Sequence, residues 1–364
     1  MRTQTGSLGT ISYPDEICFA FNPMLIKVAS NGCDRIRVVI TYGGKSYTEI
    51  RYVGTDNNAF VDIESYAQGF FDRRDWGNLS PTAAQTTGLG ITINYTVVMS
   101  VGTNTHESHS FSSFVVWGSM TSGEEYNGYR RVKWFTNFPF SVGLYADASS
   151  TIALCNDGSP TTTKQLSGKG VWNVPLTSSV ARKFITIQDN LGTLSATTFD
   201  DTFDLTFSMI SSQRGRVVMR IDLDKEADEG VYLRWIDRHG FYCYYLFKRG
   251  DEQRKVEAGG NFIRQDMMQY DDVYGYSSGN GRQQWLERED VQPLCVPLVD
   301  RETWELLFGV CCSPVVDIFA GYKEGVPRWK PVRVQAGTYT RREKDHLQDF
   351  ICNLIMPKVE YQRL

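Results

Sequence analysis

Apolar and polar positions alternate along most of the chain. Glu16–Phe21, Met24–Val28, Arg35–Tyr42 and Lys45–Tyr52 read as strands, with the period of two that puts one face in a core. Gly43-Gly44, between the last two, supplies the positive φ of a two-residue hairpin. Phe60–Glu64 leads to Tyr66–Phe71, which predicts a single helical turn, and Ile91–Val101 and Ser110–Trp117 add two alternating runs. Turn residues recur between these runs at short, regular spacing, which predicts a β-sandwich over residues 1–120.

Residues 118–128 are rich in Gly, Ser and Glu and predict a linker. A second β region is expected over 129–215, from Tyr129–Phe140 through Ala181–Ile187 to Phe203–Met209. The third region, 216–364, opens with Arg216–Asp222 and an aromatic hairpin. In Arg301–Cys312, Trp304, Leu307, Phe308 and Cys311 fall at i, i+3, i+4 and i+7, the stripe of a short helix that Ser313-Pro314 stops. Val315–Phe319, Pro331–Val334 and Leu347–Met356 follow as strands. The expected class is mainly β: several β-sandwich domains with a small C-terminal α+β region.

Tyr232–Phe247 holds seven aromatic residues, in two runs joined by Asp-Arg-His-Gly. Gly240 suits the end of a four-residue loop, and pairing Ile236 with Phe241 sorts the side chains onto two faces. An antiparallel hairpin ordinarily keeps one face polar, and this one has none. One face suits the domain's own core. The other, with Tyr232, Arg234, Phe241, Tyr245 and Phe247, is expected to meet another chain or domain. A sugar-stacking platform is the alternative for the same aromatics.

Composition narrows the classes. With 41% hydrophobic and 22% charged residues the chain is globular, and 13% aromatics suit strands. A net charge of −4 without a long basic run argues against nucleic acid as a partner. The opening Met1–Thr10 lacks a signal peptide's apolar stretch, and no run approaches the roughly 18 apolar residues of a membrane helix. A soluble chain made in a cytoplasm is expected, with its eight scattered cysteines reduced and no membrane partner.

Candidate chemistry is thin. Asp237 and His239 sit at the hairpin tip with no nucleophile placed beside them, so solvated turn residues are expected. The acids at 222, 224, 226 and 228 imitate a calcium loop, but Ala227 stands where Gly is needed and Leu233 where the bidentate Glu belongs. His106-Glu-Ser-His109 is one residue short of the zinc-protease spacing. No phosphate-binding glycine loop or nucleophile elbow occurs. No metal, no cofactor and no enzymatic activity are expected, although a glycosidase carboxylate pair carries no spacing by which to be found.

The hairpin Tyr232–Phe247 resembles a recurring element in tail and baseplate proteins of tailed bacteriophages infecting Bacteroidetes. So do Trp304-Glu-Leu-Leu, Ser313-Pro-Val, Trp329-Lys-Pro-Val, Gly337-Thr-Tyr and a last strand ending at Met356-Pro357, as well as Phe19–Pro23 and Phe60–Ala67 near the start. The likeness spans about half the chain and includes no catalytic signature. It implies a non-enzymatic virion protein of a tail, baseplate or collar. Such a protein assembles in the bacterial host cytoplasm with copies of itself in a symmetric ring and with other virion proteins. A carbohydrate- or receptor-binding module at a tail tip, with host surface glycan as its partner, is the alternative. A glycan-active hydrolase ranks third.

Overall fold

A computed structural model describes residues 1–72, 76–77, 79–120, 131–146, 148–156, 159–176, 184–189, 209–210, 218–262, 268–271, 275–278, 282–356 and 359–363. Most of the expected 118–128 linker and of the Phe203–Met209 strand lies outside them. The chain is mainly β, and among the described residues two α-helices interrupt the strands. No helix there is long and apolar enough to cross a membrane. Two compact units are formed. The first comprises Met1–Asp228, Trp235–Tyr244 and Lys323–Pro327, and the second Glu229–Arg234, Tyr245–Tyr322 and Arg328–Leu364.

The first unit holds two β-sandwiches. In the N-terminal one, a four-stranded sheet runs in the order Arg2–Thr5, Gly9–Tyr13, Leu25–Ser30, Asn58–Asp62. Its companion has five strands, Ile17–Phe19, Asn104–Val116, Gly90–Val101, Arg35–Tyr42 and Lys45–Tyr52. Alternation does what the sequence demands of it. Ile36, Val38 and Ile40 are fully buried, as are Ile11, Ile26 and Val28 of the opposite sheet, while their neighbours along each strand turn outward. Gly43 and Gly44 take φ of 54° and 80° at the expected hairpin. Helix α1 (Glu64–Phe70) is the predicted turn of helix; it buries Ala67 and Phe70, and its Gln68 side chain donates to the Ala20 carbonyl at 2.7 Å.

The second sandwich pairs a five-stranded sheet (Arg131–Phe135, Val218–Asp224, Phe184–Asp189, Ser150–Asn156, Ser159–Leu166) with a four-stranded one (Met209–Ile210, Phe140–Ala146, Gly170–Leu176, Gln85–Thr86). Two of these strands come from outside the expected 129–215 region. Val218–Asp224 fits between Arg131–Phe135, to which it is parallel, and Phe184–Asp189, so residues 218–224 go with this sandwich and not with the C-terminal region. Gln85–Thr86 arrives from the loop after α1 and pairs with Asn173 and Trp172. Thr87 N–H extends the attachment, donating to the Val171 carbonyl at 2.8 Å.

The second unit is built on one large sheet. From the hairpin strands it continues through Val316–Lys323, Val326–Val334, Gln348–Ile355 and Trp285–Val299 to Gln253–Ala258. Helix α2 (Arg301–Cys312) has the predicted bounds. Asp300 caps it, accepting the Thr303 N–H at 2.8 Å, and its Trp304 stands edge-on to Phe350 of the sheet at 5.7 Å. Seven of the eight cysteines are free thiols; the Cys155 side chain lies outside the described part.

The hairpin tip shows how tightly the first unit is fitted. Ser119 N–H donates to the Arg238 carbonyl at 2.6 Å. Gly240 has φ 86°, and a Cβ there would come within 2.7 Å of Val116 Cγ1 and 2.8 Å of the Trp117 oxygen. At Gly43, φ is also positive, but the space is open. Gly43→Ala is therefore expected to cost about 1 kcal/mol, the left-handed backbone alone. Gly240→Ala adds collision to strain and should cost at least about 2 kcal/mol more. Urea unfolding of the two variants measures the difference, and equal midpoints would show the tip to be loosely seated.

Candidate functional site

The structure moves the hairpin face from surface to interior. Tyr232, Arg234, Phe241, Tyr245 and Phe247 are each no more than 7% exposed. Tyr232 stands edge-on to Phe319 at 6.2 Å and tilts against Trp329 at 6.0 Å. Arg234 donates from Nε to the Asp317 carboxylate at 2.9 Å, and its guanidinium lies 4.4 Å over the Trp329 ring. Phe247 meets both Tyr245 and Phe350. Phe241 fills the space that Gly143 leaves, where a Cβ would approach its own Cβ to 2.9 Å. The expected interface with another chain is thus corrected. Both faces needed cover, and this chain supplies it, with Asp317 reaching Arg234 from 83 residues downstream.

The register is corrected too. Strands end at Ile236 and resume at Tyr242, and Asp237 N–H donates to the Phe241 carbonyl at 2.8 Å. The loop is one residue tighter than expected, so the partner of Ile236 shifts by one and one strand exchanges its faces. Asp237 causes this. Its Oδ1 accepts the N–H of His239 at 3.1 Å and of Phe241 at 2.8 Å, folding the turn around a carboxylate.

Asp237 and His239, expected to be solvated, are both about 4% exposed, with Oδ2 and Nδ1 3.5 Å apart. Cys243, also buried, lies near enough to Asp237 to feel its charge. Burial first, and then the Asp237 charge, push its thiol well above the ordinary range, so it stays protonated and a poor nucleophile. The trio belongs to the core.

Two acids of the cluster are spent on ion pairs, and Glu226 and Asp228 are exposed. Asp222 holds Arg131 and, at 2.7 Å, Arg220; Asp224 holds Lys133 at 2.8 Å. Among the described residues no group of three or more His, Cys, Asp or Glu is arranged to hold a metal ion. His106 is exposed at a β-bulge, whereas His109 lies 2.7 Å from Glu107. Glu107 in turn accepts the N–H groups of Leu8 and Ser7 and the Ser7 hydroxyl, at 3.0, 3.1 and 3.0 Å. The Leu8 N–H, then His109 and Ser7, bring its carboxyl down to about 2.

Two surface features of the first unit went unseen in the sequence. One is an open cleft of about 510 Å³, where the Thr86–Thr92 segment crosses between Phe70 of α1 and Gly170. Tyr42, partly open, forms one wall and is braced by the Phe70 ring at 5.7 Å. Asp72, Thr86, Thr87 and Thr92 are polar residues of the lining, to which Phe114 and Lys169 also belong, and the Thr87 hydroxyl is itself spent on the Val171 carbonyl at 3.2 Å. The Lys169 ammonium lies 2.9 Å from the Glu16 carboxylate and 5.6 Å over Phe114. Gly90 lets the walls close: a Cβ there would come within 2.5 Å of the Phe114 ring. These residues come from distant segments and share no periodicity, so no sequence signal marks them.

The other feature is the outer strand of the five-stranded sheet, Lys45–Tyr52, which among the described strands pairs on one side alone. Ile50 is 49% exposed and Tyr52 74%, and Arg37 and Arg35 stand directly across from them on the same face.

No protein-family model matches the chain, and no curated protein matches it. Among solved structures, it is similar to a chain described under "Structural insight into host cell surface retention of a 1.5-MDa bacterial ice-binding adhesin". Identity is 12%, with 80% of this chain and 94% of that one covered, at a TM-score of 0.16. So loose a superposition leaves fold and role to be argued from this chain's own residues.

Two outcomes follow from the buried positions. Tyr245→Ala should cost about 3–5 kcal/mol as a core truncation. Arg234→Ala should cost a similar amount, about 3–5 kcal/mol, because Asp317 loses its partner inside the protein. Melting and sedimentation on both variants test this; weakened association at unchanged melting temperature would return the face to an interface. Glu107 makes stability acid-sensitive. Its folded pKa lies below the roughly 4.3 of an unfolded Glu, so its contribution is complete above that value. As pH falls toward about 2 the contribution disappears. Wild type should exceed Glu107→Gln by on the order of 2 kcal/mol at pH 7, converging at pH 2. A pH-independent gap would sink the assignment.

Proposed function

We propose that the chain is a structural protein of a phage tail, baseplate or collar, working through protein–protein contacts. The observation that carries the reading is the open strand Lys45–Tyr52. Its outer backbone edge, which pairs with no other described strand, adjoins a face on which Tyr52 and Ile50 lie across from Arg35 and Arg37. Tyrosine and arginine are the residues that most often anchor interfaces, and sheet edges left open on monomers are usually blunted. Lys45, Glu49 and Arg51 do bring charge to this strand, but on its other face, where Glu49 accepts the Tyr66 hydroxyl and pairs with Arg51. The outer face keeps its apolar anchors.

Further support comes from the segments that resemble tail proteins. Trp304 packs on Phe350, and Trp329 on Tyr232 and Phe319, so these motifs are packing anchors of a scaffold. The partners in this reading are further copies of the chain in a ring, together with other virion proteins.

Negative-stain imaging of the purified protein, alone and in particles, tests the proposal. A closed ring, or density in the tail, is the expected result. The double variant Ile50→Lys/Tyr52→Ala should weaken assembly by about 1–3 kcal/mol per interface while leaving the melting temperature unchanged. A protein that stays monomeric at high concentration and is missing from particles would overturn the reading.

A further inference from the structure

We infer that the open edge of Lys45–Tyr52 accepts a sixth strand from a different protein, an extended segment with acidic side chains two residues apart. The inference rests on the assembly reading of that edge and names the partner's chemistry.

The backbone sets which groups face outward. Tyr42 pairs with Lys45 across the two-residue turn, where Gly43 and Gly44 have φ of 54° and 80°. Residues flanking such a turn exchange both of their hydrogen bonds, and bonded pairs then alternate with unbonded ones. The phase holds at the far end, where Val53 N–H donates to the Asp34 carbonyl at 2.9 Å. Lys45, Tyr47, Glu49 and Arg51 therefore bond inward, to Arg35–Tyr42. The N–H and C=O groups of Ser46, Thr48, Ile50 and Tyr52 point away from the sheet, and all four residues are exposed. An added strand is the ligand that matches such a row.

Charge selects the strand. From Arg35 to Tyr52 there are four cations, Arg35, Arg37, Lys45 and Arg51, and a single acid, Glu49, in a chain whose net charge is −4. Glu49 is already taken by Arg51 at 2.7 Å and by the Tyr66 hydroxyl. Arg37 lies across from Ile50 and Arg35 across from Tyr52, on the outer face. The apolar stem of a glutamate laid beside Ile50 can cross it and bring its carboxylate to Arg37. A second acid two residues away does the same over Tyr52 to Arg35.

A second copy does not supply that strand. Two such edges placed together would set basic residues against basic residues, and like charges across a strand pair repel. No other edge strand among the described residues, Arg131–Phe135 and Gln253–Ala258 included, carries two acids at alternate positions.

The test is fluorescence anisotropy of labelled octapeptides against the full chain at low salt. A peptide alternating Glu and Val should bind, with an affinity that falls as salt rises. Its Lys–Val counterpart should not bind, nor should a Glu–Pro peptide, which has the same charge but cannot donate from proline to a ladder. Arg37→Glu should weaken binding by about tenfold or more, because it sets like charge against the strand. Thr48→Pro removes an outward N–H and leaves the inward ladder whole, so it should abolish binding. Circular dichroism melts check that both variants fold. Silence from the Glu–Val peptide would overturn the inference, as would equal binding of the Glu–Pro peptide or binding that survives both substitutions. Tighter binding of a single-stranded oligonucleotide would do the same, since an edge that prefers any polyanion is not selecting a strand. Rings formed by a protein blind to the Glu–Val peptide would refute this inference and leave the assembly reading standing. Peptide binding by a protein missing from particles would do the reverse.

Discussion

A hairpin with no polar face has to be enclosed on both sides, and much of this chain is arranged to enclose one. The tip, Trp235–Tyr244, belongs to the first unit, where Arg238 and Gly240 fit against Val116–Ser119. The base belongs to the second unit, where Phe319, Trp329 and Phe350 close over Tyr232 and Phe247. Arg234 brings a cation into that base. It is tolerated because Asp317 neutralises it and Trp329 covers its flat face. Desolvating a lone guanidinium there would cost several kcal/mol.

The same economy of cover produces the cleft. Gln85–Thr86 leaves the N-terminal sandwich to complete the edge of the next one, and the chain must then return to begin Gly90–Val101. The return path, Thr87–Gly90, buries Thr87 and Leu89 and is tied to Val171 and Trp117 by backbone hydrogen bonds. Glycines at 88 and 90 allow it to pass close to Trp76 and Phe114. What remains beside that path is a depression with an aromatic wall and polar lining, on a scaffold of regular strands.

Periodicity made the strands and α2 legible because burial on one face leaves a period in the sequence. The Gly43-Gly44 turn and the bounds Arg301–Cys312 were readable, but the buried face of α2 is Trp304, Leu306, Leu307 and Val310, so the expected stripe through Phe308 and Cys311, both half-buried, is shifted toward its neighbours. Pairing at a distance was not. Nothing local marks Val218–Asp224 as the parallel neighbour of Arg131–Phe135, and a strand of two residues such as Gln85–Thr86 is too short to show a period. The hairpin misled in a specific way. Composition demanded cover for Tyr232, Arg234 and Tyr245, but composition is the same whether the cover comes from Trp329 or from another molecule. Its register turned on one side chain, Asp237, capturing the Phe241 N–H. The cleft left no trace at all, since Tyr42, Asp72, Thr92 and Lys169 are gathered only by the fold.

The parallel pairing of Arg131–Phe135 with Val218–Asp224 sets an order of events during synthesis. The N-terminal sandwich has its last strand once Val116 is made, and its antiparallel neighbours are close in sequence. The second must hold Arg131–Phe135 in waiting until residue 220 appears opposite Arg131. Closing so long a loop before any contact repays it is slow. The nascent chain therefore passes through a stage in which one finished sandwich precedes an incomplete, sticky one. In that interval the half-built sheet, not the native protein, is the species most exposed to mispairing with its neighbours on the polysome.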